Sequence, residues 1–192
     1  AQSQAYYAYD QDKGDALAAL NQMAPGNQVY LSPLWADHAS VAFLRRGAGI
    51  KALDTSDTIV LPPPGQGAVY AFPAEQSSRA DALAALWPTA VRRSLPDRYG
   101  KPLLEIVTID AATAAGWPTG MHPDQPLSLA FAGGPTLLGA QANGADVTLF
   151  WRADTAMTAS YTTFVHAVDG RQQRVAQADK LPGNGSYPTD TW

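Results

Sequence analysis

Cysteine is absent from the chain, which rules out a disulfide framework and any thiolate-held metal. That absence suits an extracytoplasmic protein. Long apolar runs are missing too, none approaching the ~20 residues that a membrane-crossing helix needs. The opening Ala-Gln-Ser-Gln-Ala-Tyr-Tyr is no signal peptide and reads as the cut end of something longer. An excess of positive charge is lacking as well. Lys and Arg total 13 against 17 Asp and Glu, a net charge of −4, and neither half is basic. A phosphate-backbone partner needs a clustered Lys/Arg face, so no nucleic acid is expected. No Gly-x-Gly-x-x-Gly and no Walker-type loop occurs, which argues against a nucleotide cofactor. No Gly-x-Ser-x-Gly elbow occurs either, leaving a small α/β hydrolase the weakest reading. No catalytic residues, no metal site and no cofactor are therefore predicted.

With 46% hydrophobic and only 16% charged residues, the 192-residue chain can bury a core, as one large or two small domains. Its first half is organised around residues 28–47. Val29 to Leu31 reads as a short buried strand, Pro33 breaks the following loop, and a helix capped by Asp37 stops at Gly47. A helix beginning near Asp12, with Leu17, Leu20 and Ala24 at helical spacing, precedes it and ends at Pro25-Gly26. Strands follow at Ile50–Leu53, at Thr58–Leu61 and at Ala68–Phe72, the last a continuous apolar run expected to be covered on both faces. Ser78 and Asp81 form a capping-box pattern for a helix carrying Leu83, Leu86 and Trp87 on one face. Val91–Leu95 and Leu103–Ile109 read as a hairpin.

Beyond Asp110 the pattern changes. Residues 111–126, rich in small residues, glycine and proline, read as an interdomain linker. Five strands are then expected, at Leu127–Phe131, Thr136–Ala140, Ala145–Arg152, Tyr161–Val168 and Arg174–Ala178, with no helical pattern between them. The expected fold class is thus an α/β layered domain, Rossmann-like with a mixed sheet, over residues 1–110, followed by an all-β sandwich-like module over 127–192. Seven strands are usual in an immunoglobulin-like sandwich. Five imply truncation, an incompletely covered apolar face and self-association through an open sheet edge.

Two blocks carry a family likeness. Val29-Tyr-Leu-Ser-Pro-Leu-Trp-Ala-Asp-His38 leads to Val41-Ala-Phe-Leu44, with Leu61-Pro-Pro-Pro-Gly65 and Phe72-Pro-Ala74 beyond it. This block resembles the extracytoplasmic α/β domain that follows the membrane helices of some bacterial family 39-like glycosyltransferases. Those multi-spanning enzymes use lipid-linked sugars and are related in plan to protein mannosyltransferases and aminoarabinose transferases. Val147-Thr-Leu-Phe-Trp151, Tyr161-Thr-Thr-Phe-Val-His166, Arg174-Val-Ala-Gln177 and Tyr187-Pro-Thr189 look like the β-sandwich appended to them. The resemblance implies a cell-envelope location, attachment through a missing N-terminal membrane region, and a glycan or lipid-linked sugar as partner. The family's catalytic carboxylates lie between its first membrane helices, so no residue here inherits that role.

Trp35, Asp37 and His38 are the candidate ligand-binding residues, Trp stacking on a sugar or lipid head group while Asp and His bond its hydroxyls. The plainer reading has Asp37 cap the helix and Trp35 pack on it. His166 shares a strand face with Phe164 and Val168 and is expected in a hydrogen-bonded core or sheet-face position, Trp151 in the sandwich core, and His122 in solvent. Arg45-Arg46 complement a helix dipole, and Arg92-Arg93 point to opposite faces. The first functional expectation is an accessory or acceptor-recognition region of a membrane glycosyltransferase. The alternative is a free-standing cell-surface carbohydrate-binding protein.

Overall fold

A computed structural model describes residues 2–192. The chain divides between Thr119 and Gly120 into two compact units. The first is mixed α/β, and the second holds two separate antiparallel sheets.

In chain order the first unit has helices α1 (Gln2–Ala8) and α2 (Gln11–Met23), strand β1 (Asn27–Leu31), helices α3 (Pro33–Ala36) and α4 (Ala39–Leu44), and strands β2 (Ile50–Ala52) and β3 (Gly67–Pro73). A 3₁₀ turn then leads into α5 (Ser77–Ala84), followed by β4 (Val91–Pro96), β5 (Pro102–Ile109) and α6 (Ala111–Ala114). The sheet order is β2-β1-β3-β5-β4. Strands β2 and β3 run parallel to β1, whereas β5 is antiparallel to β3 and β4. All seven residues of β3 are buried, as its unbroken apolar sequence requires. Strand alternation sorts the rest of the core. Val29, Leu31, Val69, Ala71, Leu104 and Ile106 pack with Ala16, Leu17 and Leu20 of α2, Ala36 of α3 and Val41 of α4. On the opposite parity Tyr30 stacks on Tyr70 at 5.2 Å, and Tyr70 on Trp87 at 6.3 Å.

Two expectations change here. Thr58–Leu61 forms no strand. The three prolines after it supply no ladder donors, and the Val60 and Leu61 carbonyls instead accept from the Tyr70 and Tyr30 phenols. The capping box at Ser78 is not made: α5 begins at Ser77, and Asp81 pairs with Arg92 at 2.9 Å. Residues 111–126 contain the boundary between the two units, and at their start Asp110 Oδ1 accepts from Thr113 N to cap α6 while Thr119 N donates to Leu86 O.

Helix α1 was not foreseen, for its polar sequence has no apolar stripe. Tyrosines hold it. The buried Tyr6 donates its phenol to Asp15 at 3.0 Å, and Arg98 forks onto the same carboxylate with its guanidinium over the Tyr6 ring. Tyr7 donates to Asp97, whose other oxygen accepts from the backbone N–H groups of Tyr99 and Lys101. A clasp thus joins α1 to the β4–β5 turn.

In the second unit β6 (Gln125–Ala130), β7 (Thr136–Asn143) and β8 (Asp146–Arg152) form one antiparallel sheet, and β9 (Thr163–Val168) pairs with β10 (Arg174–Lys180) in another. All five strands fall where the sequence puts them. Bulges interrupt β6–β7 and β7–β8 around Gly139. Its φ is +147°, and a Cβ there would lie 2.6 Å from both the Gln125 carbonyl and Pro123, so only glycine fits.

The clasp makes stability depend on pH at the alkaline end. Burial, then the bond to Asp15, pushes the Tyr6 phenol up to about 12, and the bond to Asp97 does the same for Tyr7. Each raised phenol contributes stability that is complete below its unfolded value near 10 and is lost as pH rises through the folded value. The melting temperature of the parent chain should therefore fall more steeply above pH ~10 than that of Tyr6→Phe/Tyr7→Phe. Equal slopes would contradict the clasp.

Candidate functional site

The chain leaves β1 toward β2 on one side and leaves β3 toward β5 and β4 on the other. The carboxyl ends of β1 and β3 therefore flank the point where open α/β sheets hold ligands. Ser32, only 3% exposed, donates there to Gln76 Oε1 at 2.6 Å, while its backbone N–H bonds to Ala71 O. Arg79 of α5 pairs with Asp54, just past β2, at 2.8 Å. These polar groups bond one another across the sheet's carboxyl edge. None was singled out from sequence, since the partners are 44 and 25 residues apart and only the crossover connections bring them together.

Trp35, Asp37 and His38 do not converge. The loop expected at Pro33 holds the short helix α3, and the helix expected from Asp37 to Gly47 is α4 alone, which begins only at Ala39. Pro33 opens α3, where its missing N–H costs nothing. Asp37 is exposed at the C-terminal end of α3, where its backbone N–H bonds to Pro33 O, but its side chain caps neither helix, and His38 precedes α4 without a side-chain capping bond. The predicted cap is therefore corrected: α4 starts one residue too late for Asp37 to serve, and His38 takes the N-cap position. Trp35 packs half-buried against the core, with Lys13 Nζ 5.4 Å from its ring centre, as the plainer reading expected. His38 Nδ1 lies 4.0 Å from Asp10, too far for a hydrogen bond.

Asp10 is what holds this loop. It accepts from Ser40 Oγ at 2.5 Å and pairs with Lys13 at 3.0 Å, and the Ser40 bond, then Lys13, holds its carboxyl below the usual range. Its φ of +54° is a left-handed value that Asp and Asn tolerate. Arg45 donates to Ala36 O at 3.1 Å and Ile50 O at 3.3 Å, joining the end of α3 to β2 rather than merely completing a dipole.

The second unit presents an open apolar face. The β-ladders place Leu129, Leu137 and Trp151 in one row across β6, β7 and β8. Phe131 meets Trp151 at 5.8 Å between ring centres. Leu129 and Phe131 are each 53% exposed and Val147 47%. Trp151 was expected in the core, but it is half-buried and its neighbour Phe150 takes the buried parity, opposite Gly139 at the bulge. His166 takes the sheet-face position rather than a core one. It is exposed with Phe164 and Val168, because the β9–β10 ribbon buries none of its residues. His122 is exposed, as expected.

Among the described residues no group of three or more His, Asp or Glu could hold a metal, and no helix is long and apolar enough to cross a membrane. No protein-family model, curated protein or solved structure matches the chain.

Asp10 and Asp37 are separable by mutation. Asp37→Ala should leave unfolding free energy within ~0.5 kcal/mol of the parent, since the side chain is exposed and caps nothing. Asp10→Ala should destabilise the chain clearly more than Asp37→Ala, through the lost Ser40 bond and the left-handed backbone, with Asp10→Asn intermediate. Urea unfolding of the three variants checks the order.

Proposed function

We propose that this chain is a non-catalytic recognition region at the extracytoplasmic face of a bacterial membrane glycosyltransferase that uses lipid-linked sugar. In this reading the first unit is a Rossmann-like layered domain, the second is a sandwich-type module, and the β6–β7–β8 face takes the carbohydrate. One observation supports it above the others: in the row Leu129–Leu137–Trp151, extended by Phe131, Leu129 and Phe131 are exposed and Leu137 and Trp151 half-buried. Soluble proteins rarely expose contiguous apolar surface without a partner for it. A pyranose offers an apolar C–H face that stacks on indole and phenyl rings, while its rim hydroxyls stay hydrated. Trp35, the other candidate platform, is committed to packing beside Lys13.

The same face serves the second reading, a free-standing cell-surface carbohydrate-binding protein, and the gene's full reading frame separates the two. Many apolar stretches of ~20 residues upstream support the membrane enzyme, and a lone signal peptide supports the free-standing protein. The outer strands β6 and β8 also offer edges for self-association.

A glycan array followed by calorimetry tests the site. The purified chain should bind a cell-envelope oligosaccharide, and Trp151→Ala or Phe131→Ala should weaken binding at least about tenfold, or about 1.4 kcal/mol, with melting temperature retained. Affinity indifferent to both substitutions would remove this face from the proposal.

A further inference from the structure

At the opposite edge of the first sheet, beside the amino ends of β1 and β2, an open cleft of about 480 Å³ is bounded by Arg45, Arg46 and Lys51 together with Gln28 and the Gly47–Gly49 turn. Three cations and no carboxylate line it, in a chain whose net charge is −4. Both side-chain bonds of Arg45 go to carbonyl oxygens, which orient the guanidinium without neutralising it. Arg46 lies over the ring of Phe43 at 5.6 Å. That ring is 66% exposed and Leu44 beside it 50%. Of α4 only Val41 is buried, so the end of this helix turns two large apolar side chains outward next to the cations.

We propose that this edge docks on an anionic membrane surface, with lipid phosphate seated against Arg45 and Arg46 while Phe43 and Leu44 enter the boundary between headgroups and acyl chains. The helix dipole is the one opposing charge on α4, since its C-terminal end points here. It amounts to about half a unit at most, against the two guanidinium groups of Arg45 and Arg46. A free phosphate would use the cations alone and leave Phe43 without a role. A bilayer surface uses both, because basic residues are drawn to its anionic leaflet and adjacent apolar side chains bury into its interface. A nucleic acid would need a wider basic face than one cleft supplies.

Flotation of the full chain with lipid vesicles tests this. At low salt the chain should co-float with vesicles of phosphatidylcholine and phosphatidylglycerol about tenfold more than with phosphatidylcholine alone, and high salt should reduce the difference. Phe43→Ser/Leu44→Ser and, separately, Arg46→Gln should each cut binding several-fold while melting temperature holds, since all three side chains are exposed. Equal binding to neutral and anionic vesicles would overturn the proposal, as would a Phe43→Ser/Leu44→Ser variant that binds like the parent. Loss of binding on adding inorganic phosphate at matched ionic strength, with that double variant unaffected, would assign the cleft to free phosphate and overturn the membrane contact. Trp151→Ala should float like the parent, so failure of the glycan reading and failure of this one are distinguishable.

Discussion

The first unit depends on the burial of β3. A strand with no exposed residue needs apolar cover on both sides, and the chain supplies it from different segments. Helices α2, α3 and α4 contribute Leu17, Leu20, Ala36 and Val41 to one side, while Tyr30, Tyr70 and Trp87 stack on the other. Placing β1 and β5 on either flank of β3 then fixes where the connections diverge, and with it the carboxyl edge where Ser32 meets Gln76 and Asp54 meets Arg79.

Local pattern revealed most of the strands. The apolar run of β3, the five strands after Leu127 and the turn around Asp97 were all legible, because each depends on neighbours a few residues away. Helix α1 was not legible, because the partners of Tyr6 and Tyr7 include Asp97 and Arg98, distant in sequence, and propensity cannot report such bonds. The break between α3 and α4 escaped for a similar reason: Asp37 has the composition of a cap, but Asp10, Ser40 and Lys13 decide how the loop turns. Strand alternation placed Trp151 inward, and the irregular ladder at Gly139 left Phe150 on the buried side instead. The Ser32–Gln76 and Asp54–Arg79 pairs exist only once the crossovers are made.

Charge is distributed by task. Asp10, Asp15, Asp54 and Asp97 fasten one segment of the first unit to another, each through a hydrogen bond or ion pair. The cations around Gln28 and the Gly47–Gly49 turn are instead gathered at one edge with no acid lining their cleft. The open face of the second unit, with Leu129, Phe131 and Val147 exposed, is by contrast apolar rather than charged.

The β9–β10 ribbon differs from every other strand pair because neither of its faces is buried. Its backbone bonds have no apolar packing to reinforce them, and a lone two-stranded ribbon is marginal in water. Amide protons of residues 163–180 should therefore exchange with solvent through local opening before those of the buried strands β3 and β5. The exposed Phe164, Val168 and Val175 thus lie on a segment that breathes independently of the core.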